Sequence, residues 1–391
     1  MLAQAFQLLE ESYQEMVEIR RDLHRNPELS FQEVRTSRLI ADYLRDLGLA
    51  VRTEVGGRGV VARLPGRKRH KTVALRADFD ALPIQDEKNV PYKSTVPGVM
   101  HACGHDVHTA ALLVTAKVLT GMQEHLKGDI VFVFQHAEEQ VPGGARAMIE
   151  DDCLEGVDVI YGAHVASIAP LGMVGIRSGS TTAAADEFEI VIGGKGGHGA
   201  FPHTSVDPLV TACQLVVSLQ QIVSRRVDPL KAAVLTVGTF QAGSAPNVIP
   251  DTAKITGTVR TFDEEVRELM EQTIRQVATC TAEGAGAAAT ISYTRGYPSV
   301  WNDPCEASRV ESVAAQVFGK EKILPIEPLM GAEDFSYYLQ RVPGCFFYVG
   351  GGNKEIGATY PHHHPLFDVD ERSMLYIGKL FVSLVSHCLS E

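Results

Sequence analysis

Three short apolar runs each end on side chains that can hold a cation or move a proton, and this restricts the fold more than any other feature. Thr72-Val-Ala-Leu-Arg-Ala77 leads into Asp78-Phe-Asp80, Asp129-Ile-Val-Phe-Val-Phe-Gln135 into Glu138 and Glu139, and Val157-Asp-Val-Ile-Tyr-Gly162 into His164. Runs of this length and composition read as buried β-strands. In open α/β sheets ligands bind beyond the carboxyl ends of the strands, so this reading gathers scattered residues into one crevice.

The octapeptide His101-Ala-Cys-Gly-His-Asp-Val-His108 adds three imidazoles, a thiol and a carboxylate. Imidazole and thiolate hold borderline-soft divalent metals, and Cys103 and His105, two apart, can face one cavity. A lone buried histidine is most often a hydrogen-bonded core residue, but that does not account for a cluster. The apolar run after Asp106 reads as a buried helix supporting the site with its N-terminal end. His108 then lies a turn into that helix, suited to packing or to support of a ligand. In Gln135-His-Ala-Glu-Glu139 one carboxylate can coordinate while the other stays free as a general base, and His136 is a weaker rival to Glu139 as ligand. Tyr360-Pro-His-His-His-Pro365 offers three further imidazoles in a proline-bounded loop, and the residues alone leave open which of His362, His363 and His364 coordinates.

Residues 5–24 carry apolar positions at helical spacing, ended by Asn26-Pro27. Ser30-Phe-Gln-Glu33 reads as a capping box opening a helix through Leu47, with Gly48 as its stop. Near residue 186 the pattern changes. A strand, a Gly-rich turn bearing His198, a helix from about Asp207 to Arg226, two strands, a helix from Asp263 and a last strand near Ala289 follow. This is the split βαβ order of a ferredoxin-like domain. The expected organisation is therefore a catalytic metal-binding domain over 1–180, an inserted ferredoxin-like domain over 181–295, and the rest of the catalytic domain over 296–391. Within the insertion, His198 suits an electrophile for a substrate carbonyl, while Asn247 and Arg260 could bind a substrate carboxylate. A turn amide and a surface salt bridge are the plainer readings of the last two.

The net charge of −12 disfavours a nucleic-acid partner. Seven scattered cysteines without paired spacing fit a reducing compartment, and no apolar stretch reaches membrane-span length, so a cytoplasmic protein without a membrane partner is expected. No G-x-S-x-G elbow is present, which removes the commonest serine-hydrolase reading.

The segments Arg20–Glu33, Arg76–Ile84, Met100–Asp106, Gln135–Glu139, Gly194–His198 and His363-His-Pro365 together resemble the amidohydrolase branch of the dinuclear metallopeptidase family, over essentially the whole chain. The resemblance implies an α/β fold: a zinc-peptidase-like catalytic domain, its mixed sheet flanked by helices, with the insertion as an α+β lid and dimerisation domain. It implies two divalent ions per subunit (Zn, Mn, Co or Ni) on Cys103, His105, Glu139, His164 and His363, with the thiolate bridging and His363 chosen by its spacing from Pro365. Glu138 takes the general-base position, and Asp78 and Asp80 support the ligands from behind. His198 is implied to act in a neighbouring subunit, in a homodimer or higher homo-oligomer, with Asn247 and Arg260 on the substrate carboxylate. The implied activity is hydrolysis of small N-acyl-L-amino acids to a carboxylic acid and a free amino acid. The rivals are a dipeptidase or carboxypeptidase of the same family, a cysteine hydrolase using Cys103, and a non-catalytic metal- or peptide-binding module. The chain departs from the family pattern at His136, where most members carry proline, and in its triple histidine.

Overall fold

The computed structural model describes residues 2–68 and 71–390, which divide into two compact units. The larger comprises Met1–Thr181, Val300–Glu327 and Asp334–Glu391; the smaller comprises Thr182–Ser299 and Pro328–Glu333.

The larger unit is built on an eight-stranded mixed sheet in the order Ala50–Val55, Gly59–Leu64, Asp129–Gln135, Thr72–Asp78, Val159–Pro170, Gly344–Gly352, Val174–Ile176, Ile323–Pro325. Its four central strands, from Asp129–Gln135 to Gly344–Gly352, run parallel, so their carboxyl ends share one edge. Thr72–Asp78 is buried at every position, which explains why it is apolar without alternation. One face carries the Leu2–Glu11, Tyr13–Arg25, Val34–Asp46, His105–Gly121, Pro304–Phe318 and Ser373–Cys388 helices over a continuous apolar core. The other is covered by a smaller cluster including Met148, Phe335, Tyr338 and Phe346. His105–Gly121 is buried on nearly all sides, and truncating Leu112 to alanine there is expected to cost about 2–5 kcal/mol.

Two local expectations need correction. The helix expected over 5–24 is two helices, Leu2–Glu11 and Tyr13–Arg25, although Ser12 keeps its backbone bonds to Leu8 and Met16 across the break. The capping box does not form either. The helix begins at Val34 with no side-chain cap, and Ser30 and Glu33 bond elsewhere. Buried long-range groups compete successfully for these side chains, because an unmet buried polar group costs more than a missing surface cap.

The smaller unit has a four-stranded antiparallel sheet ordered Ala233–Ala242, Thr252–Thr261, Ala184–Gly193, Ala288–Arg295. Burial alternates along Ala184–Gly193 and Thr252–Thr261, and Phe188, Ile190, Ile192, Ile255 and Val259 pack under the helices Pro208–Arg226 and Glu264–Gly284. Both helices start on aspartate caps: Asp207 accepts from Leu209 N and Val210 N, and Asp263 from Val266 N.

Candidate metal centre

The parallel strands release their chain at one edge. Asp78 closes its strand and Asp80 follows, with Phe79 N still bonded to Gln135 O of the neighbouring strand. Beyond Gln135 the backbone turns through Ala137, whose φ is 51°, and presents Glu138 and Glu139. His164 lies within Val159–Pro170. Gly104, with φ of 92°, caps the His105 helix; a Cβ there would come within 2.4 Å of Val165 Cγ1, so only glycine lets Cys103 and His105 approach the His164 strand this closely. His363, at φ 63°, is tied to the same loop by a 2.8 Å bond from its N–H to Ala102 O.

These turns bring the donor atoms together. Cys103 Sγ lies 3.5 Å from His164 Nε2, while Glu139 Oε1 is 3.3 Å from His363 Nε2 and 3.9 Å from His105 Nε2. The donors of Cys103, His105 and His164 fall within 4.8 Å of one another, as do those of Cys103, Glu139 and His363. The two triads overlap at the thiol. His105 Nε2 and Glu139 Oε1 are buried with no hydrogen-bond partner, an arrangement that is costly unless a cation meets them.

Behind the donors, other groups fix their orientation. Asp80 Oδ1 accepts from His105 Nδ1 at 3.0 Å, leaving Nε2 for the site, and its Oδ2 accepts from Glu139 N and Ser30 Oγ. His164 Nδ1 donates to Val165 O. His108 is excluded as a ligand because both nitrogens are engaged: Nδ1 donates to Asp78 Oδ1 at 2.6 Å, and Nε2 accepts from Val165 N. Asp78 is likewise occupied, its other oxygen bonded to Arg76 Nη1 at 2.6 Å. Arg76 also reaches Asp334 and Gln135. The sequence reading gave Arg76 no role; the available signal was a cation inside a buried apolar strand, which requires carboxylate partners.

The local field is strongly negative. Burial opposes charging His105, yet Asp78, Asp80 and Glu139 outweigh it and lift the imidazole to about 10. Burial, with Glu139, Glu138 and Asp78, pushes the Cys103 thiol well above its ordinary range. Burial and the nearby His108 and His362 rings hold His164 neutral. A thiol that resists ionisation among carboxylates, next to an imidazole that holds its proton, is the pattern expected where divalent cations belong, and the sulfur, nitrogen and oxygen donors fit such ions.

The remaining candidates are placed as follows. Glu138 is buried beside Glu139. His362 Nε2 accepts from Ser167 N, His364 stacks on Tyr360, and His136 packs edge-on to Phe31; none of these three belongs to a metal-competent group among the described residues. In the smaller unit His198 pairs with Val248 in a two-stranded ribbon, and Gly199 N bonds to Asn247 O, so the His198 and Asn247 backbones are neighbours. Arg260 lies at the far end of Thr252–Thr261, about 26 Å along the strand from Thr252 by the usual rise per residue. Its guanidinium is half-buried, and Nη1 donates to Val259 O at 3.2 Å.

Overlapping donor triads, with the buried Glu138 carboxylate beside them at the carboxyl edge of a parallel sheet, define the class of dinuclear metal-dependent hydrolases. Residues 74–387 match peptidase family M20/M25/M40, and the chain belongs to that family. It is 51% identical over 372 residues to YhaA of Bacillus subtilis (strain 168), an amidohydrolase by name, covering 95% of this chain and 94% of that protein. It is 40% identical to the N-acetylcysteine deacetylase of the same organism, covering 94% and 95%. Among solved structures it resembles the Bacillus subtilis YXEP protein, a dinuclear metal-binding peptidase of the M20 family, with a TM-score of 0.85, 37% identity, and 97% and 99% coverage.

Proposed function

We propose that this protein is a metal-dependent N-acyl-L-amino acid amidohydrolase, which converts its substrate and water to a carboxylic acid and a free amino acid. The observation that carries the reading is the pair of donor triads sharing Cys103, with the Glu138 carboxylate buried beside them. Cys103, His105, Glu139, His164 and His363 would hold two divalent ions, of Zn, Mn, Co or Ni; when bound, these supply water activation and carbonyl polarisation. Glu138 takes a proton from the attacking water and returns it to the leaving amine. His198 donates to the developing oxyanion. Arg260 binds the free α-carboxylate, and Asn247, which adjoins His198, reaches the same carboxylate from a neighbouring copy, so substrates that carry one are favoured. Because the His198 ribbon and Arg260 sit at opposite ends of one strand, His198 serves the site of a neighbouring copy, with the smaller unit acting as lid and dimerisation domain. All seven cysteines are free, which supports a cytoplasmic setting, and among the described residues no helix is long and apolar enough to cross a membrane.

The test is a panel of N-acetyl, N-benzoyl and dipeptide substrates given to metal-stripped protein, to protein reloaded with Mn, Zn, Co or Ni, and to Glu138→Gln. Metal-restored release of amino acid from N-acyl substrates, lost in Glu138→Gln, is expected. Undiminished activity without metal overturns the reading in favour of Cys103 as nucleophile, and cleavage of dipeptides alone overturns the substrate class.

A further inference from the structure

The segment from Leu29 to Glu33 has the spacing of a helix start, yet neither the Ser30 nor the Glu33 side chain serves the helix. Both are buried and point to the loops that carry the site. Ser30 Oγ donates to Asp80 Oδ2 at 2.7 Å, the oxygen that also receives Glu139 N at 3.0 Å, while the other Asp80 oxygen holds His105. Glu33 Oε1 accepts from Ala137 N at 2.8 Å. Ala137 is the left-handed residue immediately before Glu138. The segment is also fixed along its length: Leu29 bridges to Ala81, Ala81 N bonds to Glu28 O, and the Phe31 ring meets His136 edge-on at 5.9 Å.

The energetics make these contacts purposeful. A non-glycine residue at positive φ costs about 1–3 kcal/mol and persists only where its surroundings enforce it. The Ala137 N–H is turned into the protein, and a buried donor needs an acceptor. Glu33 supplies it at the expense of burying a carboxyl group, which burial and the nearby Asp80 push up to about 8.

We propose that Ser30 and Glu33 are positioning residues for the hydrolytic step: Ser30 steadies Asp80, and through it His105 and Glu139, while Glu33 holds the Ala137 turn that aims Glu138. This rests on the functional reading above. It separates two effects, because Ser30 acts on the metal ligands and Glu33 on the proton-transfer group.

The experiment uses the full-length, metal-loaded enzyme with Glu33→Met, which keeps volume but lacks a comparable acceptor, Glu33→Gln, which keeps the acceptor, Ser30→Ala and Ser30→Thr. Glu33→Met is expected to lower kcat about 10–100-fold, the scale of a misplaced catalytic group, with KM and metal content nearly unchanged, and Glu33→Gln to recover most of the loss. Ser30→Ala is expected to weaken metal binding about tenfold in a chelator competition with Zn or Mn, with Ser30→Thr restoring it. Equal kcat in Glu33→Met and wild type overturns the Glu33 assignment, as does an equal loss in Glu33→Met and Glu33→Gln. Unchanged metal affinity in Ser30→Ala overturns the Ser30 assignment. The metal competition needs no substrate, so a wild-type enzyme inactive on N-acyl amino acids refutes the functional reading separately and leaves the Ser30 result readable.

Discussion

The two units handle charge in opposite ways. The larger buries Arg20, Arg76, Asp78, Asp80, Asp106 and Asp334 almost completely, whereas in the 182–299 stretch of the smaller the buried charged residues are one pair, Asp186 and Arg267. That pair closes on itself: Arg267 grips Asp186 through Nε and Nη2, and Tyr293 OH and Gly296 N complete the carboxylate. In the larger unit the network instead ends on unpartnered donors, His105 Nε2 and Glu139 Oε1. A closed network serves the fold, and an open one awaits a ligand.

Breaking the closed pair should have the largest effect on stability. Arg267→Met leaves Asp186 buried and uncompensated and is expected to cost about 3–5 kcal/mol, read by urea denaturation, with metal content unaltered. Next comes metal removal. At about tenfold excess over Kd, each ion that binds only the folded state stabilises it by about 1.4 kcal/mol, so removing both should lower the calorimetric transition of the larger unit and abolish activity, without moving that of the smaller. If both transitions shift alike, the contrast between the units is wrong.

A smaller effect belongs to Glu33. Its carboxyl stands at about 8 instead of 4.5, raised by burial and then by Asp80, so the stability it contributes is full below pH 4.5 and is lost as pH rises through 8. Glu33→Gln cannot titrate there. From pH 5 to pH 8 the variant should gain on wild type by at most about 1.4 kcal/mol per pH unit, read from urea midpoints, and a constant difference would mean that the carboxyl is ionised throughout. The smallest change in stability is expected for His198→Ala. The side chain is exposed, so stability should shift by no more than about 0.5 kcal/mol while kcat/KM falls by about a hundredfold.

The contrast also separates what could be read along the chain from what could not. Alternating and continuous apolar runs mark the strands Thr72–Asp78, Asp129–Gln135 and Ala184–Gly193, because burial on one or both faces is a local property of the pattern. The α/β class is legible on the same grounds, the donor-rich loops in their residue types, and the family in the resemblance of six ordered segments. Gly344–Gly352 is less plain, because Cys345-Phe-Phe-Tyr-Val349 is an apolar run of strand length bounded by glycines, and the glycines answer to crowding across the sheet: a Cβ on Gly350 would lie 2.0 Å from Pro170 O. The partners of Ser30, Glu33 and Arg76 were out of reach for a different reason. Ser30 and Asp80 are fifty positions apart and Arg76 and Asp334 are 258 apart, and no local period encodes such pairings. Which of the three consecutive histidines turns toward Glu139 depends on a single positive φ at His363.

Gly344–Gly352 lies in the large sheet between Val159–Pro170 and Val174–Ile176, so the last parallel strand emerges long after its neighbours. At roughly 5–20 residues per second, a ribosome needs on the order of ten to thirty seconds to pass from one to the other, and during that interval the Val159–Pro170 edge has no partner. The intervening stretch carries its own apolar core and can fold in the meantime. His363 arrives later still, so ion capture by a complete donor set follows closure of the sheet and cannot nucleate it. Slow translation therefore lengthens the exposure of one open strand edge, whatever the stability of the finished fold.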